Sequence, residues 1–354
     1  MGDQVRVGII GTSWWADLMF LPILSQYERA DVVAICGRNR ENAQEMADKY
    51  GIPKVYTDYR QMIEERPFDA IIVSTPDDTH YEMVMAALDA GLHVLCEKPV
   101  ALNAEHALEM YQKAEAAGIK HMVLYTWHWL PPVQRLKKLL DEGYIGKPYH
   151  GYFHWFAEYG RGGEYMWRFD ADRANGILGD LGSHLIHMSQ WLLGDVTTVS
   201  VHTSCRVIRQ GDNGKQPNPA NDVFLGILEF ANGAQIQLQV SAVAHVIDSS
   251  MKLNASLHGE IGALEAAWSP ADPRDLVIHL RGIQEGADEI LEDVTSLNAI
   301  EHFKSNSVGP RLFIDGILDG KPIKPDLYDG YKVQQVIDAA LKSRDIGQRV
   351  AIPQ

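Results

Sequence analysis

The sequence has few cysteines, no basic run and no long apolar stretch, and each absence removes a class of protein. Its 3 cysteines, Cys36, Cys96 and Cys205, are odd in number and lack metal-ligand spacing. Buried reduced thiols are therefore expected rather than a disulfide framework or a zinc site. Against 47 acidic residues stand 32 basic ones, giving a net charge of −15 spread without a basic stripe, so nucleic acid and anionic membrane are not expected partners. No apolar run approaches membrane-spanning length, and Met1-Gly-Asp-Gln-Val-Arg leads straight into a strand-like run without the regions of a secretion signal. A soluble, cytoplasmic protein is the expectation. Internal repeats and low-complexity tracts are also lacking, and 354 residues is long for one core, which favours two domains.

What is present is an alternation of short β-rich runs with helical patterns. Val5–Ile10, Asp31–Cys36, Ala70–Ser74, His93–Cys96 and His121–Leu124 read as strands, and residues near 15–26, 40–50, 58–65, 79–90 and 103–117 read as helices. Such alternation is the signature of parallel βαβ units. Gly51, Gly91 and Gly118 fall just past three of these helices, where a left-handed C-cap is wanted. After a helix near 132–142 the pattern changes to an aromatic strand-like run, Tyr149–Tyr159, and a helix around 182–193. Strand-like runs follow at 196–208, 222–231, 234–245, 250–258 and 262–267, and helical patterns return near 300–319 and 328–343. Arg209–Asn221, rich in Gly, Asn, Pro and Lys, reads as a mobile loop. The expected architecture is an α/β dinucleotide-binding domain over 1–125 followed by an α+β domain with a large, mostly antiparallel sheet over 126–354, its C-terminal helix able to pack back on the first.

Four segments of the first half carry ligand-binding chemistry. Gly8-Ile-Ile-Gly11-Thr12-Ser13-Trp14-Trp15-Ala16 closes the first strand and opens the first helix. Glycines there let the backbone turn tightly and approach a pyrophosphate, whose charge meets the N–H groups of a helix N-terminus. Read as G-x-G-x-x-A, Ser13 replaces the second glycine. The second strand ends in Cys36-Gly37-Arg38-Asn39-Arg40, without the acidic residue that binds the adenosine ribose of NAD. Gly37 and Arg38 thus favour NADP over NAD, with Arg38 offering a planar cation to a 2′-phosphate. Equally, Arg38 and Arg40 can begin a solvated helix with Asn39 as N-cap. In Ser74-Thr75-Pro76-Asp77-Asp78-Thr79-His80, the residues Thr75, Pro76 and His80 are expected beside the nicotinamide, and Thr79 or Asp78 as a helix cap. Glu97-Lys98-Pro99 ends another strand, with Lys98 facing the crevice where doubly wound sheets bind ligands, unless Glu97 and Lys98 are only a solvated pair.

In the second half, Asn175-Gly-Ile-Leu-Gly-Asp180-Leu-Gly-Ser-His184-Leu-Ile-His187 puts Asp180 and His184 four apart at a helix start, hence on one face. Together with GTSWWA, TPDDTH, CEKP, Trp129-Leu-Pro-Pro and Ile145-Gly-Lys-Pro148, in that order and spacing, the chain resembles the Gfo/Idh/MocA oxidoreductase family over nearly its whole length, least between 205 and 300. The resemblance implies a Rossmann NAD(P)-binding domain and an active site beside the nicotinamide formed by Lys98, Asp180 and His184. Histidine suits the proton transfer that accompanies hydride transfer in either direction, and an ammonium group stabilises negative charge on the reacting oxygen. Three positions depart from the family: Ser13, His128 where arginine is frequent, and His187 where aspartate is common. Asp180, His184 and His187 also have the spacing of a facial metal site, but nothing else in the chain supports one, and no metal is expected.

The aromatic segment from Tyr152 to Arg168 suggests the substrate. Trp155 and Tyr159 offer ring faces to C–H groups, and Arg168 and His128 offer polar tips to hydroxyls, which fits a sugar or polyol. Sheet-core packing explains the same aromatics, and it is the sugar substrates of the family that favour the first reading. The expected function is hydride transfer between NAD(P) and a secondary alcohol or ketone. Two alternatives are a glycoside hydrolase or eliminase that uses NAD(P) for a transient oxidation without net redox, and a catalytically inactive nucleotide-binding regulatory protein. Apolar alternation on both sides of strands near 223–230 and 234–240 points to a homodimer or homotetramer.

Overall fold

Strand β1 (Val5–Ile10) buries Val5, Val7, Ile9 and Ile10 and stands inside a parallel sheet. Its companions are β2 (Ala30–Cys36), β3 (Lys54–Tyr56), β4 (Ala70–Val73), β5 (His93–Cys96) and β6 (His121–Val123), in the spatial order β3-β2-β1-β4-β5-β6. The order reverses on either side of β1, which is the switch point of a doubly wound sheet. The computed structural model describes residues 3–65, 68–211, 217–272, 275–284 and 287–353. It divides into two units, Met1–Tyr125 with Ile300–Lys332, and Thr126–Ala299 with Val333–Gln354.

In the first unit the expected strands and the helices Arg40–Tyr50, Tyr59–Glu65, His80–Asp89 and Ala104–Ala116 are present, and Gly51, Gly91 and Gly118 have positive φ. Strand β3 is an addition, too short and too exposed to announce itself. The helix expected over 15–26 is instead a π-turn, Ala16–Phe20, followed by the short helix Leu21–Leu24. Pro22 explains the change, since it has no N–H to offer the carbonyl four residues earlier.

Residues 126–354 were expected to form one domain, but Ile300–Lys332 belongs to the first unit. Helix Pro310–Leu318 packs on β1 and β5 with Phe313 and Ile314 fully buried. Tyr27 donates to Asp315 at 2.5 Å, Arg29 pairs with Asp315 and Asp319, and Val123 N donates to Pro325 O at 3.0 Å. The helix expected over 300–319 is two, Ala299–Ser305 and Pro310–Leu318, because Gly309 (φ 54°) and Pro310 break it between them.

The second unit is a nine-stranded sheet of β7 (Pro148–Ala157), β8 (Val196–Ser204), β9 (Val223–Phe230), β10 (Gln235–Ser241), β11 (Met251–Gly259), β12 (Gly262–Asp272), β13 (Asp275–Gln284), β14 (Ala287–Asn298) and β15 (Val350–Ala351). The ladder is antiparallel except where β7 meets β10. Strands β13 and β14 escaped the sequence reading. β14 lies at the sheet edge, and its Asp288, Glu289, Glu292 and Asp293 hide any apolar alternation. The run 196–208 stops at Ser204 and the run 234–245 at Ser241. The outward positions of β10 are Gln235, Gln237 and Gln239 rather than apolar residues, although Leu225 and Ile227 of β9 are exposed.

Helix Ser183–Leu193 is buried along most of its length and belongs to the same unit as Phe153, Trp155 and Ala157 of β7, which are also buried. Helix Leu327–Ile346 begins in the first unit and ends in the second. Cys36 and Cys96 are buried free thiols, with Cys36 pushed up to about 12 by burial, whereas Cys205 is exposed just past the end of β8. Among the described residues no helix is long and apolar enough to cross a membrane.

Candidate active site

The carboxyl ends of β1, β2, β4 and β5 converge through backbone bonds. Gly11 N donates to Cys36 O at 2.9 Å, Ser74 N to Ile10 O at 2.8 Å and Glu97 N to Val73 O at 2.9 Å. Gly11 has φ 123°, and a Cβ there would stand 2.0 Å from Ser74 O, so only glycine lets the first turn lie this close to β4. A Cβ on Gly37 would meet Thr12 at 2.5 Å, which seats the end of β2 against the same turn. The helical segment opening at Trp14 leaves its first N–H groups without intrahelical acceptors, as every helix start does. Ser13 Oγ accepts from Ala16 N at 3.3 Å. A tight, glycine-dependent turn running into a helix N-terminus at the switch point fits a dinucleotide.

Around this turn the sequence candidates separate by role. Thr12, Ser13 and Trp14 are accessible, with Trp14 66% exposed, while Ala16 is buried. Gly8 lies within β1 rather than at the turn, and a Cβ there would strike Met62 at 2.5 Å, so its glycine serves packing. Trp15 Nε1 donates to Glu97 Oε1 at 2.5 Å, and Lys98 N donates to Glu97 Oε2 at 3.3 Å. The Lys98–Pro99 peptide is cis.

Arg38 is exposed at the end of β2, and Asn39 caps the next helix by accepting from Glu41 N and Asn42 N at 2.8 and 3.2 Å. The expected N-cap at Asn39 is thus present, with Arg38 accessible beside it. Thr79 does not cap its helix with its side chain; Thr79 Oγ1 donates to Pro76 O at 2.7 Å and lies 2.8 Å from Thr75 Oγ1. His80, expected beside the nicotinamide, has no exposed surface. Its ring nitrogens lie 2.8 Å from Pro99 O and 2.8 Å from Thr75 O, tying the Thr75 turn to the residue after Lys98. Two carbonyl neighbours favour the protonated ring, but burial is the larger effect and pushes its pKa down.

In the second unit the aromatic segment and the helix start converge. Asp180 lies in a π-turn, Leu178–Gly182, that leads into helix Ser183–Leu193. Tyr159 donates to Asp180 Oδ2 at 2.5 Å, and Arg168 Nε lies 3.3 Å from the same oxygen. The Arg168 guanidinium also covers the Trp167 ring at 4.3 Å. One turn on, the His184 ring stands 5.7 Å from that of Trp155, which meets Trp127 edge-on at 5.0 Å. His187 Nε2 lies 3.2 Å from His128 Nδ1, and the His128 ring is 4.1 Å from that of Trp191. Burial pushes the His128 pKa down to about 4, so this ring is neutral near neutral pH. Among the described residues no group of three His, Cys, Asp or Glu is arranged to hold a metal ion.

The family models match both halves of the chain: residues 5–125 match the oxidoreductase family with an NAD-binding Rossmann fold, and residues 133–265 match the GFO/IDH/MocA C-terminal domain. The chain belongs to the Gfo/Idh/MocA oxidoreductase family. Its Rossmann domain is of the NAD(P)-binding kind. Among Gfo/Idh/MocA relatives, the levoglucosan dehydrogenase of Pseudarthrobacter phenanthrenivorans is 27% identical over 352 residues, 90% of this chain and 89% of that protein. The D-glucoside 3-dehydrogenase of Escherichia coli is 28% identical over 367 residues, 99% of this chain and 98% of that protein. A solved structure of levoglucosan dehydrogenase with NADH and levoglucosan has the same fold, with a TM-score of 0.85 at 24% identity over 99% of this chain and 100% of that one.

Proposed function

We propose that the protein is an NAD(P)-dependent dehydrogenase that moves a hydride between nicotinamide and a secondary alcohol carbon of a sugar, polyol or related small molecule. The observation that carries this reading is the Asp180 cluster: a carboxylate gripped by Tyr159 and Arg168, four residues before a buried histidine whose ring lies beside a tryptophan. The relatives named above, dehydrogenases of levoglucosan and of D-glucosides, support it.

A bound nicotinamide supplies the hydride acceptor. The remaining tasks fall to side chains. His184 takes the hydroxyl proton as the C–H bond breaks and returns it in the reverse direction. The Lys98 ammonium donates a hydrogen bond to the reacting oxygen and stabilises its negative charge. Asp180, fixed by its two partners, orients the imidazole or a substrate hydroxyl. Trp155, Tyr159, Arg168 and His128 contact the substrate, rings against C–H groups and polar tips against hydroxyls.

NADP(H) is the proposed preferred cofactor, because exposed Arg38 follows Gly37 where a ribose-binding carboxylate would otherwise stand. A homodimer or homotetramer is the proposed assembly, supported by exposed Leu225 and Ile227 on β9; light scattering that reads a monomer at micromolar concentration contradicts it. The test of function is a panel of sugars and polyols followed by nicotinamide absorbance. Sustained, stoichiometric cofactor turnover is the expected result. Product formed without net cofactor change would point instead to a hydrolase or eliminase working by transient oxidation.

A further inference from the structure

Arg209 is buried, 6% exposed, in a segment whose composition reads as a mobile loop. Its partner is Asp222, which has no exposed surface: Arg209 Nη1 lies 3.3 Å from Asp222 Oδ2, and the two Asp222 oxygens accept from Arg206 N at 2.8 Å and Val207 N at 3.0 Å. Taking both charges out of water is costly, and packed apolar residues would often stabilise a fold as well. The geometry indicates what the pair does. Arg209 Nη2 donates to Gly160 O at 2.5 Å, and the guanidinium lies over the Phe169 ring at 3.8 Å.

Those two contacts fall on the residues that immediately follow Tyr159 and Arg168, the two groups that hold Asp180 Oδ2. The Tyr159 and Phe169 rings also stack, with centroids 6.1 Å apart, and a Cβ on Gly160 would come 3.0 Å from Phe169. One guanidinium therefore joins both strands of chain that reach Asp180. We propose that Arg209 is a positioning residue: it acts through Tyr159 and Arg168 to set the orientation of the Asp180 carboxylate. This rests on the reading of Asp180 as part of the active site.

The test is a kinetic cycle in the intact protein. Arg209→Lys keeps the charge but loses the planar fork, so kcat should fall about tenfold while cofactor affinity stays unchanged, the signature of misaligned rather than missing groups. The pH profile of kcat should change in shape with it. Tyr159→Phe should also lower kcat, and the double variant should be no slower than the slower single one, because both substitutions disturb the same carboxylate. Losses that multiply, or an Arg209→Lys enzyme with wild-type kcat, KM and pH profile, overturn the proposal. Asp222→Asn, which preserves shape, repeats the cycle should Arg209→Lys not fold. Asp180→Asn separates the two claims: wild-type turnover in that variant rejects the active-site reading itself, whereas a crippled Asp180→Asn beside a normal Arg209→Lys rejects only the positioning role.

Discussion

Trp15 donates its indole hydrogen to Glu97 Oε1 at 2.5 Å, so the turn proposed to receive the pyrophosphate is bonded to the residue next to Lys98. A hydrogen bond to a charged group contributes about 1.5–3 kcal/mol. Trp15→Phe keeps an aromatic ring, although a smaller one, and removes this donor. The expected outcome is a lower unfolding midpoint and weaker cofactor binding, measured by calorimetry and titration. If both are unchanged, the bond links nothing of consequence.

Arg38→Ala should weaken NADP(H) binding by roughly tenfold or more, the loss of a charge-assisted phosphate contact, and leave NAD(H) binding unaltered. Isothermal titration of both cofactors against both proteins is the check. Equal affinity of the unmodified protein for the two cofactors would remove the assignment.

His128 ties stability to pH. Its folded pKa is about 4 against an ordinary 6.5, because the charged ring is disfavoured by burial. The unfolded chain binds more protons between those values, so the contribution is fully present above pH 6.5 and is lost as pH falls toward 4. That is up to about 3 kcal/mol. Urea unfolding of the wild type should show this loss between neutral and acidic pH, and His128→Phe should show a smaller one. Parallel curves would mean that the ring titrates normally.

Much of the fold was legible because its elements announce themselves locally. The parallel unit shows in apolar runs such as Val5–Ile10 and in glycines at helix ends, which depend on nothing distant. The illegible parts depend on partners far along the chain. Nothing near Asp315 says that it meets Tyr27 and Arg29, which is why the sequence alone does not group Ile300–Lys332 with the first unit. In the site, Tyr159, Arg168 and Asp180 were each candidates by residue type, but their convergence on one oxygen is a tertiary fact. His80 shows the same dependence: a histidine after a polar turn reads as a ligand contact, and only the fold shows its ring nitrogens lying against the carbonyls of Pro99 and Thr75. Arg209 had no signal at all, since a lone arginine among Gly, Asn and Pro resembles any solvated loop.

The central claim is that Lys98 and His184 carry the chemistry of one hydride transfer, and the most direct measurement is turnover of Lys98→Ala and His184→Ala on the best substrate from the sugar and polyol panel. Each should lose at least about 10²-fold in kcat, as expected for removing an acid, a base or an oxyanion donor, with cofactor affinity little changed. His184→Ala should also flatten the pH profile near neutrality. Near-normal turnover in either variant, with the protein folded and binding cofactor, would contradict the account.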